Sequence, residues 1–226
     1  MLKKILIFIL IVYIALVIFS CNIFKEGTYT RSVEVEEREP HNVESGSVVV
    51  YDEDGIFYYS EFIFKGAVID AIEIAIEEYI GGELHYKFYR DVFTFEVEEI
   101  YYSEDSSVEV GDVIKVANGS CSNNWIPGTI EMEKDKRYIV LTKKSIDTGT
   151  TDFTEYYDYA TVGHWSSIIL VEDGKYYVDE ILESLTGNAE EEFIREDGYF
   201  ETTVYVKGEE FEQELEDLIL EKKGES

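Results

Sequence analysis

The chain has 226 residues, with 19 Lys and Arg against 49 Asp and Glu, a formal charge of −30. A surface that acidic repels phosphate backbones, so nucleic-acid binding is excluded as a main function, and it opposes docking on anionic lipid headgroups. Hydrophobic content of 45%, with 18 Tyr and 13 Phe, excludes a wholly disordered acidic chain.

Met1-Leu2-Lys3-Lys4 is a short positive start, and Ile5 to Phe19 is an unbroken apolar run. As a helix that run rises about 22 Å, short of a hydrocarbon core of roughly 30 Å. Residues 1–20 therefore read as a signal peptide rather than a permanent span. The run ends at Ile18-Phe19-Ser20-Cys21, which resembles the lipobox of bacterial lipoprotein signal peptides. Phe19 departs from the small residue commoner at its place. The resemblance implies cleavage before Cys21, a diacylglyceryl group on the Cys21 thiol as the lipid attachment, and a mature chain on the extracytoplasmic face of the cell membrane. Two acyl chains suffice for stable anchoring. The other reading is an uncleaved anchor helix with Cys21 beside it. Once Cys21 is acylated, Cys121 is the last cysteine and no intramolecular disulfide can form.

Residues 21–46 are polar and patternless, with Pro40 and mixed charge, and read as an acidic flexible tether. Val33 and Val35 alternate with charged residues, which leaves a short strand open there.

A β-patterned domain is expected over 47–185. Val48–Tyr51 and Ile56–Tyr59 flank Asp52-Glu53-Asp54-Gly55, which the Asp-Gly pair marks as a hairpin. A strand opens at Phe62. From Ile69 to Ile76 the spacing fits both helix and strand, and the Ile content with the Gly81-Gly82 turn selects strand. Phe93-Thr94-Phe95-Glu96-Val97-Glu98 alternates strictly, so Phe93, Phe95 and Val97 share the buried face. The adjacent acids Glu98 and Glu99 break that alternation and predict a bulge. Further strands are expected at Val113–Ala117, Thr129–Met132, Arg137–Thr142, Tyr156–Tyr159, and Ser166–Val171 with Lys175–Val178 across an Asp173-Gly174 turn. Many short strands with turn signals between them indicate a sandwich or barrel.

Residues 186–226 read as a C-terminal extension with a helix at 209–223. Phe211, Leu215, Leu218 and Ile219 lie on one helical face. Glu209 and Glu210 at its start and Lys222 and Lys223 at its end suit the helix dipole. A helix that short is marginal alone, so its apolar face is expected to dock on the sheet.

Between Ser60 and Tyr177 the order of pieces resembles the OB-type barrel of netrin-like and tissue-inhibitor-of-metalloproteinase-like domains. The residues that carry this are Ser60–Val68, Phe93–Tyr101 with Ile100 where the family pattern has Val, Val110–Val116, and Arg137–Leu141. The resemblance implies a mainly β fold, an OB-like closed or partly open β-barrel. The inhibitory mechanism of the animal members needs a free, disulfide-tied N-terminal Cys. This chain has no such position, and no binding residue is carried over.

Chemistry-bearing motifs are few. His41, His85 and His164 lack metal-ligand spacing, no Cys-x-x-Cys occurs, and neither a phosphate loop nor a nucleophile elbow is present. Glu34–Glu39, Glu190–Glu192 and Glu209–Asp217 offer carboxylates of the kind Ca²⁺ takes, but without loop spacing they read as solvated faces. Tyr156-Tyr157-Asp158-Tyr159 and Trp165 read as core rather than as a sugar- or peptide-binding patch. Asn118-Gly119-Ser120 matches the N-glycosylation pattern, which a bacterial lipoprotein reading treats as chance.

The expectation is a non-catalytic binding module without cofactor or metal. It is held to the membrane by its lipid, monomeric, and open to an unknown protein, peptide or cationic partner. The competing reading is a cell-envelope hydrolase in which His164 activates Cys121.

Overall fold

A computed structural model describes residues 29–34, 51–104, 107–118, 132–146, 153–163, 166–197 and 200–224. The signal segment, Cys21, Cys121, His41, His164 and Trp165 lie outside the described residues.

The fold is mainly β with a C-terminal helix. The strands are β1 (Tyr29–Glu34), β2 (Phe62–Ile80), β3 (Glu83–Ser103), β4 (Val113–Ala117), β5 (Arg137–Lys144), β6 (Tyr159–Thr161), β7 (Ile168–Glu172), β8 (Lys175–Asp179), β9 (Glu191–Asp197) and β10 (Phe200–Lys207). The helices are α1 (Glu53–Tyr59) and α2 (Phe211–Lys223).

Five strands pair in a ring. β2 pairs with β3, β3 with β4, β4 with β6 in parallel, β6 with β5, and β5 back with β2. This is an OB-like, partly open barrel. β5 joins the ring to an outer sheet: its residues 142–144 pair with β6, and 137–140 pair with β7. From β7 the order runs β8, β10, β9.

The alternation of side chains along a strand explains why there are two cores. Phe62, Phe64, Phe95, Val97, Tyr138, Val140 and Ile168 point into the ring. Ile63, Ile139, Leu141 and Ile169, one residue out of phase, point the other way and are covered by α1 and α2. The run Tyr138-Ile139-Val140-Leu141 is continuous because β5 is buried on both faces.

Inside the ring, Phe62 stacks on Phe64 with centroids 4.9 Å apart, and Phe64 meets Phe95 edge-on at 5.3 Å. The bulge falls where the paired acids put it. Lys65 faces Glu99 and Gly66 faces Val97, so Glu98 is the extra residue. Beyond the ring, β2 and β3 continue as a long arm that turns at Gly81 and Gly82, both at positive φ.

Several expectations need correction. Residues 52–59 are not half of a hairpin. Asp52 caps α1, its side chain accepting from the Gly55 N–H at 2.9 Å. Glu53 and Asp54 sit in the first turn, where the dipole favours them. Ile56 and Phe57 are then buried together, which an alternating strand would forbid. Tyr156 and Tyr157 precede β6 in a turn, and the strand itself is only Tyr159–Thr161. Of Thr129–Met132 only Met132 is described. It is non-strand and buried in the ring. Part of the expected tether, 29–34, is β1, paired with the arm. The sheet also runs on past residue 185 through β9 and β10, which sequence patterning did not separate from the tail.

Candidate functional site

The C-terminal helix is locked to the sheet by oil and by charge. Phe211, Leu215, Leu218 and Ile219 are buried, as their spacing predicts. Each contributes about 1.5–3 kcal/mol by leaving water. Phe211 stacks on Tyr176 at 4.7 Å. Beside this stack, Lys65 reaches Glu212 at 2.7 Å and Glu99 at 2.5 Å, and the Tyr176 hydroxyl donates to the same Glu212 oxygen at 2.5 Å. Burial opposes the charge on Lys65, but its bonds to Glu212 and Glu99 outweigh that and hold the ammonium above its ordinary value. Burial likewise works against Glu212, yet the bonds from Lys65 and Tyr176 bring its carboxyl below the usual range. Burial and Glu212 together push the Tyr101 and Tyr176 phenols well up. This cluster fastens α2 to the sheet.

The far end of the helix is tied differently. Lys222 pairs with Asp54 and with Glu53 at 3.6 Å, while Lys223 donates to the Tyr58 carbonyl and lies over the Tyr102 ring. Glu53 in turn accepts from Ser184.

Where α2 begins, an open cleft of about 500 Å³ forms between the β7–β8 turn, the segment before β9 and the helix start. Asp173, Glu190, Glu209, Glu210 and Glu214 line it, with Lys175 and Lys207. Lys207 is almost fully buried and is spoken for: its ammonium donates to the Gly187 carbonyl and meets Glu214 at 2.7 Å. Lys175 reaches Glu191 at 3.4 Å and Glu190 at 3.9 Å. The cleft therefore carries net negative charge in its own lining.

β9 continues from this cleft as the last strand of the sheet. Among the described residues it pairs with β10 alone. Glu191, Glu192, Phe193 and Ile194 are all exposed, Ile194 at 61%. Arg195 turns toward the buried Asp179 at 3.9 Å. Asp179 Oδ1 accepts from the Ile181 N–H, and among the described residues its Oδ2 has no hydrogen-bond partner. Burial, against the help of Ile181 and Arg195, pushes this carboxyl up to about 6.

The sequence-derived candidates fall as follows. Cys21 and the Cys121–His164 pair lie outside the described residues. His85 is exposed near the arm's tip. Tyr157 and Tyr159 are core residues, as expected. Among the described residues no group of three or more His, Cys, Asp or Glu side chains is placed to hold a metal, and no helix is long and apolar enough to cross a membrane. Sequence reasoning missed Lys207, Asp179 and the β9 edge. The run Thr202-Thr203-Val204-Tyr205-Val206, rich in β-branched residues, was the available signal.

Comparison with known proteins adds nothing to this geometry: no family model, curated protein or solved structure matches the chain.

Proposed function

We propose that the protein is a lipid-anchored binding module without catalytic activity, held at the extracytoplasmic face of a cell membrane through Cys21 and presenting an acidic domain to a cationic partner. The observation that carries this reading is the apolar run closing on Ile18-Phe19-Ser20-Cys21 behind Lys3 and Lys4. The formal charge of −30 supports the choice of partner, because such a field attracts basic proteins and peptides and speeds their encounter.

Mass spectrometry of the membrane-extracted protein tests the anchor. The expected mature chain starts at Cys21 and carries a diacylglyceryl adduct, and Cys21→Ala loses both the adduct and the cut. A chain that starts at Met1 with an unmodified Cys21 overturns the proposal.

A further inference from the structure

We infer that the outer edge of β9 is where the partner docks, and that it docks as an extended basic segment adding a strand to the sheet. This rests on the reading of the domain as a binder of cations and names its site. A terminal strand presents a row of unpaired N–H and C=O groups, a template for another strand. Folded proteins commonly blunt such edges with charged side chains, prolines or a covering element, and the charges on β9 are acids apart from Arg195. β9 has no Pro or Lys; Ile194 is exposed on one face, and on the other Phe193 meets the Tyr177 ring edge-on and stays partly exposed.

Charge selects the occupant. Glu191, Glu192, Glu196 and Asp197 surround a single Arg195 within the strand, and Glu190 with the acidic cleft lies just before it. A second copy of the chain is a poor fit. In the antiparallel register centred on Ile194, Glu191 would face Asp197 and Glu192 would face Glu196, and like charges directly opposite destabilise a strand pair. In any other register one Arg195 per strand still leaves most of the acids unmatched. A strand alternating basic and apolar residues sets its cations on one face, at the positions of Glu192 and Glu196, and its apolar side chains on the other, at the position of Phe193. The opposite edge of the sheet lacks this bias, since β1 (Tyr29–Glu34) holds one acid and one Arg.

The test titrates the full chain in neutral detergent with a capped Lys-Val repeat peptide of about ten residues, long enough for one strand. Two charge-matched variants are compared at low salt: Glu191→Lys with Glu192→Lys on β9, and Glu216→Lys with Glu221→Lys on the exposed face of α2. The expected result is a loss of about tenfold or more in affinity for the β9 variant, little change for the α2 variant, and slowed amide hydrogen exchange across 191–197 when the wild-type chain is saturated. Equal weakening in both variants, or binding with no added protection in β9, overturns the strand-addition site and leaves the domain a diffuse electrostatic binder. No binding at low salt overturns the broader reading of a cation-binding module as well.

Discussion

The two faces of β5 are filled by different kinds of chemistry. On the inner face Tyr138 and Val140 join Phe62, Phe64 and Phe95 in a core of rings and aliphatic side chains that the barrel strands supply among themselves. On the outer face Ile139 and Leu141 meet α1 and α2, and that layer is rimmed by Lys65–Glu212, Lys207–Glu214 and Lys222–Asp54. The inner core is set by shape, whereas the outer layer adds paired charges that fix where a separate helix lands. A buried ion pair adds little net stability over an apolar substitute, but losing one partner is costly. The outer layer is therefore the one whose integrity depends on pH.

The sharpest break of this contrast is Phe64→Ala. It empties space between Phe62 and Phe95 and is expected to cost about 3–5 kcal/mol, lowering the urea midpoint of ring and outer layer together. Separate transitions for the two layers would show that the inner core does not support the outer one.

Lys65→Met comes next. It leaves Glu212 and Glu99 without their shared cation, and since both are partly exposed the expected loss is about 1–2 kcal/mol at neutral pH. Because Glu212 sits below its ordinary value of 4.5 in the folded protein, its stabilising effect is present above that pH and disappears as pH falls through the lowered value. Urea melts from pH 7 to pH 3 should converge for wild type and variant at the acid end. Parallel curves would remove the ion pair as the cause.

Asp179→Asn has the opposite sign. Asp179 binds its proton more tightly folded than unfolded, so it stabilises least above pH 6 and the penalty fades as pH falls toward 4. The variant should be more stable than wild type at pH 7 by on the order of 1–3 kcal/mol, with no advantage near pH 4. A destabilised variant at pH 7 would show that the Arg195 contact outweighs burial. The smallest effect is expected for Asp52→Ala, which removes the α1 cap and costs about 1 kcal/mol, readable as a shift in thermal midpoint.

The strand-rich part of the fold was legible because alternation and Asp-Gly or Gly-Gly turns are local signals. Phe93, Phe95 and Val97 fell on one face, and Glu98 marked its own bulge, for that reason. The helical stripe Phe211, Leu215, Leu218 and Ile219 was equally plain. Residues 52–59 misled because Asp-Gly serves a hairpin, while an Asp three residues before a Gly caps a helix equally well. Only the apolar layer waiting for Ile56 and Phe57 decides between them, and that layer comes from distant parts of the chain. The β9 edge was hidden for a related reason: a sequence shows which residues prefer strands, not which strand is left without a neighbour.

The contacts that fasten α2 have a consequence for the order in which the molecule is made. Lys65, which also pairs with Glu99, meets Glu212 147 residues downstream, and Asp54 meets Lys222 168 residues downstream. Long-range closures of this kind are reached late. While the chain emerges from the ribosome, Ile56, Phe57 and the outer face of β5 lack the cover of α2 until residues 211–223 have been made. The outer layer is therefore closed only when its most distant element in sequence, α2, arrives.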